Sequence, residues 1–534
     1  MTSIRSLVRL VAIAAVVASA SPAHAQRFND KLDRALQEAP AGSRQAVIIR
    51  YRSGADSAIT TQLQSRGHRI RVRFETIGAA VTDVNTEDLQ SLAANPDVES
   101  ISADAPVHPS AASSTTFTSS VSSTPSLRET LGETTSNTGA GIGVAVIDSG
   151  IAPLGQFGRR IRAFYDFTSG RPVATPPTDP YGHGTHVAGL IAANDRNYMG
   201  VAPLASLIGL RVLDDTGAGR TSAVISAIDF AVANRTRFNI RVINLSLGHP
   251  ILAPAADDPL VQAVEAAVRA GLVVVVSAGN IGMNPVTGQV GYAGITSPGN
   301  APSALSVGAT DTAQTVTRAD DAVAPFSSRG PSWYDGFVKP DVVAPGVNLI
   351  SLAAPDSYLA VTYPKRHVTV GPRTYLRLSG ASMATAVTSG LVATVLQAHQ
   401  DAAQAFRVAE PSVTPLAVKA ILEYTATPLA GADALTQGRG EANGEGATRA
   451  ARLHVSLWAD PSYATTHPAD LVHQSVFAGA TTAWASNIVW GENIVWGENI
   501  VWGENIVWGE NIVWGENIVW GENIVWGESI AGGL

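Results

Sequence analysis

The 534-residue chain has no cysteine at all. That excludes disulfides and thiolate metal sites, so core packing must hold the fold together, with bound ions as the remaining aid. Charge is sparse as well: 15% of residues are Asp, Glu, Lys or Arg, and the formal net charge is −8. A chain so balanced and slightly acidic has no basic surface to offer a polyanion, which excludes nucleic acid as an expected partner. Beyond the first 25 residues no uninterrupted apolar run reaches the ~20 needed to cross a bilayer. What is plentiful is apolar side chain, 45% of residues, enough for a large core in more than one domain.

Residues 1–25 carry Arg5 and Arg9, the apolar run Leu10 to Val17 and then Ala23-His24-Ala25. A charged start, a short apolar stretch and an A-x-A site predict a secretory signal peptide, with a membrane anchor as the alternative. The predicted location is therefore extracellular or at the cell surface.

Between 45 and about 106 the pattern predicts strands at 46–51, 70–74, 77–84 and 98–103, with helices at 57–66 and after Asn85. The order β-α-β-β-α-β is a small α+β ferredoxin-like unit, assigned with its leading segment to 26–108. Residues 109–139 are rich in Ser, Thr, Ala and Pro and predict an exposed, cleavable linker. From 140 to 455 apolar strands (142–147, 207–212, 242–245, 272–276, 305–307) alternate with helices (186–193, 222–233, 259–270, 382–399, 416–424). Continuous Val/Ile runs separated by helices predict an α/β fold, a parallel sheet with helices on both faces, whose ligands bind at the strands' carboxyl ends. An inserted hairpin is expected over 361–376 and a second linker over 456–486.

Residues 487–534 form a repeat tail in which Asn-Ile-Val-Trp-Gly-Glu recurs seven times without interruption from Asn487 to Glu528. An even period puts every Trp of an extended strand on one face, and a six-residue unit must stack on copies or a partner to bury its ring. Self-association or surface attachment through 487–528 is one expectation; a nonfunctional expansion is the other.

Three stretches point to chemistry. Asp148 ends a predicted buried strand in I-G-V-A-V-I-D-S-G; His183 stands between glycines in G-H-G-T-H-V-A-G; Ser382 opens a helix in L-S-G-A-S-M-A-T-A. A serine at a helix N-terminus lies beside unpaired N–H groups and the positive end of the dipole, which suits a nucleophile that must push charge onto oxygen.

With N-L-S-L-G at 244–248 and S-A-G-N at 277–280, these motifs resemble the subtilisin-like serine proteases (subtilases), in the chain order Asp, His, Ser. Two positions depart from the family pattern: Ala381 stands where Thr is usual and Ala386 where Pro is usual. The resemblance implies a secreted serine endopeptidase made as an autoprocessed zymogen and acting on extended polypeptides. Its own N-terminal unit would be an inhibitory propeptide, with a free-standing binding domain as the alternative. By resemblance Asp148, His183 and Ser382 form the catalytic triad and Asn280 the oxyanion hole. Ser246, Leu247, Gly248, Gly279, Gly217, Ala218 and Gly219 would bind substrate as an added strand. The family's calcium sites find no assigned ligand here, since 194–197 looks too short, so no metal residue and no cofactor is assigned. The competing expectation is a catalytically idle surface or adhesion protein acting through its Trp repeats.

Overall fold

Gly143–Asp148 is buried at all six positions, because both faces of the sheet it centres are covered. Strands Ile240–Leu245 and Ser206–Arg211 flank it in parallel register. Outward from these, Val273–Ser277, Leu305–Asp311 and Val342–Pro345 continue one side in parallel and Ile161–Asp166 the other. Two short antiparallel edge strands, Ala322–Val323 and Val173–Ala174, make the sheet mixed. This corrects the expectation of a wholly parallel sheet: two-residue edges are too short to leave a sequence pattern. The structure, a computed structural model, describes residues 30–110, 126–133, 136–284, 286–409, 413–460 and 462–486, with the backbone of 512–514 and 518–520.

Alternation along the strands divides the core. Val144 and Val146 face the helices His183–Ala192 and Ala381–Phe406, whereas Ala145 and Ile147 face Thr221–Ala233 and Pro259–Arg269. Each fully buried Val or Ile contributes about 1.5–3 kcal/mol, so two filled faces replace the missing disulfides. Ala381–Phe406 is the only helix among the described residues long and apolar enough to cross a membrane, and it lies inside this core.

The N-terminal unit has its six expected elements, with sheet order Ile70–Phe74, Ala79–Asn85, Arg44–Tyr51, Val98–Ala103, all antiparallel. One face is covered by its own helices through Ile59, Leu63, Leu89 and Leu92. On the other face Ile48, Phe74, Ala79 and Val81 join the core formed by Thr221–Ala233 and Pro259–Arg269. Asp104 fixes this contact by capping the first of those helices: its carboxylate accepts from the Ser222 N–H at 2.9 Å and the Ser222 hydroxyl at 2.8 Å.

The first expected linker, 109–139, is ordered at both of its described ends, and the second holds secondary structure. Pro106–Pro109 is a strand, and Ser126 caps a turn of helix, Leu127–Thr130, that buries Arg128 and Leu131. Residues 456–486 are not a spacer: a helix, Gly444–Ala459, runs into them, and a hairpin, Gln474–Phe477 with Ala480–Ala483, follows. Phe477 and Trp484 are buried there, with the guanidinium groups of Arg318 and Arg449 4.3 and 4.6 Å from their ring centroids. The expected insertion is a helix, Tyr358–Thr362, before a hairpin of His367–Val370 and Arg373–Leu378. The signal-peptide reading and most of the repeat tail lie outside the described residues; within the tail, Ile512–Trp514 and Ile518–Trp520 pair antiparallel.

Candidate active site

Asp148 is the last residue of the central strand, and Ser246 follows the end of its neighbour, Ile240–Leu245. The candidate residues thus gather at the strands' carboxyl ends, where such sheets bind ligands. Asp148 Oδ1 lies 2.8 Å from His183 Nδ1 and accepts the Ser149 N–H at 2.7 Å. Both Asp148 and His183 are fully buried, and a carboxylate against Nδ1 leaves Nε2 as the face for chemistry. Among the described residues His183 Nε2 has no hydrogen-bond partner.

The glycines around His183 are needed by this approach. Gly182 has φ +100°, and a Cβ on Gly184 would stand 2.2 Å from the Gly150 carbonyl oxygen. The helix opens at His183, three residues before the expected start, because a side chain from outside caps it. The buried Asp179 carboxylate accepts from the Gly182 N–H (2.8 Å), the Thr185 N–H (2.7 Å), the Thr185 hydroxyl (2.6 Å) and the Ser149 hydroxyl (2.8 Å). Burial pushes this carboxyl's pKa up and the four donors pull it back. Asp179 was not singled out from the sequence; a carboxylate four residues before His183 was the available signal. Asp179→Ala should orphan several buried donors at ~1–3 kcal/mol each. The expected result is a melting temperature lowered by several degrees and a fall in kcat with little change in KM, read by thermal scan and steady-state kinetics.

His186, the second histidine of the motif, has a structural place. Its Nε2 donates to the carbonyls of Leu349 (3.2 Å) and Leu376 (3.0 Å), and burial, with His183 nearby, pushes its pKa down to about 3.

Ser382 stands at the second position of Ala381–Phe406. Its hydroxyl donates to the Ser246 carbonyl at 2.8 Å, and the Ser246 hydroxyl donates to the Ser382 carbonyl at 3.0 Å. Asn280 Oδ1 accepts the Ala381 N–H at 2.8 Å, and its buried Nδ2 has no partner among the described residues. An amide whose oxygen is tied down presents its N–H groups in a fixed direction, as an oxyanion donor requires.

The cleft is filled by the chain itself. Pro106–Pro109 lies antiparallel between two strands, with Val107 opposite Gly219 on one side, and Pro109 opposite Leu247 and His108 opposite Gly248 on the other. Beyond it, the Ser110 N–H donates to the Ser246 carbonyl at 3.1 Å, and the Ser110 carbonyl accepts the Ser382 N–H at 3.1 Å. Ser246, Leu247, Gly248 and Gly219 therefore meet this strand. Gly217 and Ala218 do not pair with it: they close a turn on Asp214, and a Cβ on Gly217 would strike the Tyr181 ring. Gly279 has φ +112° and packs against Thr296 and Ser328.

Among the described residues no group of three or more His, Asp or Glu side chains is disposed to hold a metal ion. In the short 194–197 segment Asp195 is engaged by Arg373 (2.8 Å) and the Tyr375 hydroxyl (3.0 Å). Burial raises its pKa, but the Asn197 and Tyr198 N–H groups and Tyr375 hold it below the ordinary value.

Comparison with known proteins agrees with this geometry. Residues 139–447 match the subtilase family. Serine protease AprX of Bacillus subtilis (strain 168) is 38% identical over 317 residues, 58% of this chain and 66% of that protein. Subtilisin E of the same organism is 32% identical over 369 residues, 69% of this chain and 80% of that protein. In fold the chain is similar to fervidolysin from Fervidobacterium pennivorans, a keratinolytic enzyme related to subtilisin. The TM-score is 0.58 at 22% identity, over 78% of this chain and 62% of that one. None of these relatives supports the adhesion alternative.

Proposed function

The chain belongs to the subtilase family of serine proteases, and on that premise we propose that it is an exported serine endopeptidase, made as a zymogen, that cleaves extended polypeptides. The observation that carries this reading is the extended strand in the cleft and, just beyond it, the Ser110 carbonyl that accepts the Ser382 N–H. An added strand held by main-chain hydrogen bonds is how a cleft takes peptides of many sequences.

In the proposed mechanism the Ser382 hydroxyl turns from the Ser246 carbonyl to His183 Nε2 and attacks the scissile carbonyl carbon. His183 takes the proton and later gives it to the departing amine; Asp148 keeps Nδ1 protonated and balances the imidazolium. The developing oxyanion draws on the Ser382 N–H and Asn280 Nδ2, the latter buried and free to donate. Water then hydrolyses the acyl-enzyme by the same route in reverse. These steps use side chains and water, and no cofactor is assigned. Export is proposed from the pattern of residues 5–25.

Residues 30–110 are proposed as the inhibitory propeptide. They cover two body helices, cap one of them through Asp104 and fill the cleft, so they both template and block the enzyme. The test is hydrolysis of casein by the secreted product. The expected result is activity abolished by a serine-directed sulfonyl fluoride and inhibited by separately produced residues 26–110 at micromolar concentration. Casein left intact would end the peptidase reading; activity indifferent to the added segment would end the propeptide reading alone.

A further inference from the structure

Resting on the peptidase reading, we propose that the bond following Ser110 is the enzyme's first substrate, and that the Ser277 hydroxyl selects serine on the acyl side of the bond it cuts.

Two contacts place Ser110 in register for cleavage: its N–H on the Ser246 carbonyl and its carbonyl on the Ser382 N–H, each 3.1 Å. The side chain between them points to the floor of the cleft, where Ser110 Oγ lies 2.8 Å from Ser277 Oγ. Ser277 is the last residue of the strand Val273–Ser277 and is fully buried. Its own proton has an acceptor in the Leu247 carbonyl at 3.4 Å. Either hydroxyl can donate across the 2.8 Å contact, so the floor offers a polar partner to an occupant that carries a short hydroxyl. Three residues upstream Val107 is fully buried, with a Cγ so close to Gly219 that a Cβ there would stand 3.0 Å from it. A small apolar anchor at Val107 and a hydroxyl reader at Ser277 together fix which bond meets Ser382.

The step balances. The Ser382 oxygen forms an ester with the Ser110 carbonyl carbon, and the C–N bond to residue 111 breaks. The hydroxyl proton passes through His183 to the released amine. Water then cleaves the ester, leaving a carboxyl group on Ser110 and the hydroxyl on Ser382.

Two measurements on the full-length chain test this. In a time course of precursor processing followed by intact mass, the released N-terminal fragment should end at Ser110. Chromogenic peptides Val-His-Pro-Ser and Val-His-Pro-Ala should differ about fivefold in kcat/KM in favour of serine, the value of one net hydrogen bond of ~1 kcal/mol. In Ser277→Ala that ratio should fall to about one, because the partner is gone. A fragment ending elsewhere overturns the assigned bond. A ratio unchanged in Ser277→Ala, or a variant slowed equally on both peptides, overturns the reader, since a merely structural serine would act so. A wild type inactive on casein and on both peptides overturns the peptidase reading itself, and this inference with it.

Discussion

Ser382→Ala should abolish hydrolysis of casein while the chain still folds, and the protein should accumulate with residues 30–110 attached. The fall in kcat should be about a millionfold, the size measured when the nucleophile of subtilisin itself is removed. Folding should survive because the lost hydroxyl makes one hydrogen bond, to the Ser246 carbonyl, worth about 1 kcal/mol net. Ser246 keeps the Ser110 N–H as a donor, and alanine is a better helix former than the serine it replaces. The loss thus falls on chemistry and spares stability. Intact mass, a thermal scan and a casein assay on one preparation read all three. Residual activity above about a thousandth of wild type would mean that another group attacks, since binding and the oxyanion donors alone give only ~10³–10⁴ over water. A processed chain from purified Ser382→Ala protein, with no other protease present, would mean that maturation is not autocatalytic.

The residues proposed for chemistry were legible because their backbone surroundings constrain the sequence. Gly184 lies against the Gly150 carbonyl and the Asp148 side chain, so the short spacing of Asp-Ser-Gly and Gly-His-Gly is forced by one close approach. The strands around Asp148 were legible for a related reason: burial on both faces leaves mostly Val, Ile, Leu, Ala and Gly. Elsewhere the same logic gives no signal. Asp179 looks like an ordinary Asp-Pro turn, and its role depends on donors from Ser149, Gly182 and Thr185 that only the fold assembles. Ser110 belongs to a Ser/Ala/Pro stretch whose composition predicts no structure of its own. A cleft that binds backbone supplies the order instead. Phe477 and Trp484 lie in a stretch of small residues and are held by Arg318 and Arg449, the first more than a hundred residues away, beyond the reach of any local pattern. The turn at Asp214 shows the limit of resemblance: it supplied Gly217, Ala218 and Gly219 together, but only Gly219 pairs with the bound strand.

Asp148→Asn should lower kcat by about 10⁴, the size found when the equivalent carboxylate of a chymotrypsin-type protease is changed to the amide. The geometry says how the loss arises. One oxygen, Oδ1, takes both the Ser149 N–H at 2.7 Å and His183 Nδ1 at 2.8 Å. In the variant the Ser149 N–H favours an amide oxygen at that position, so the imidazole can keep its proton on Nδ1 and still present Nε2 to Ser382. What is lost is the charge that balances the imidazolium in a fully buried pair, where low dielectric makes the charge count most. An amide turned the other way would set its NH2 against the Ser149 N–H and hold the imidazole in the wrong tautomer, adding to the loss. Either way the strand in the cleft is untouched, since its partners are Gly219, Ser246, Leu247 and Gly248. KM should therefore stay within about threefold, under ~0.7 kcal/mol, while kcat collapses. Steady-state kinetics on a peptide substrate decide it: a drop in kcat of less than about tenfold, roughly 1.4 kcal/mol, would remove Asp148 from the mechanism. A KM that rises in step with the loss would make Asp148 a binding residue instead.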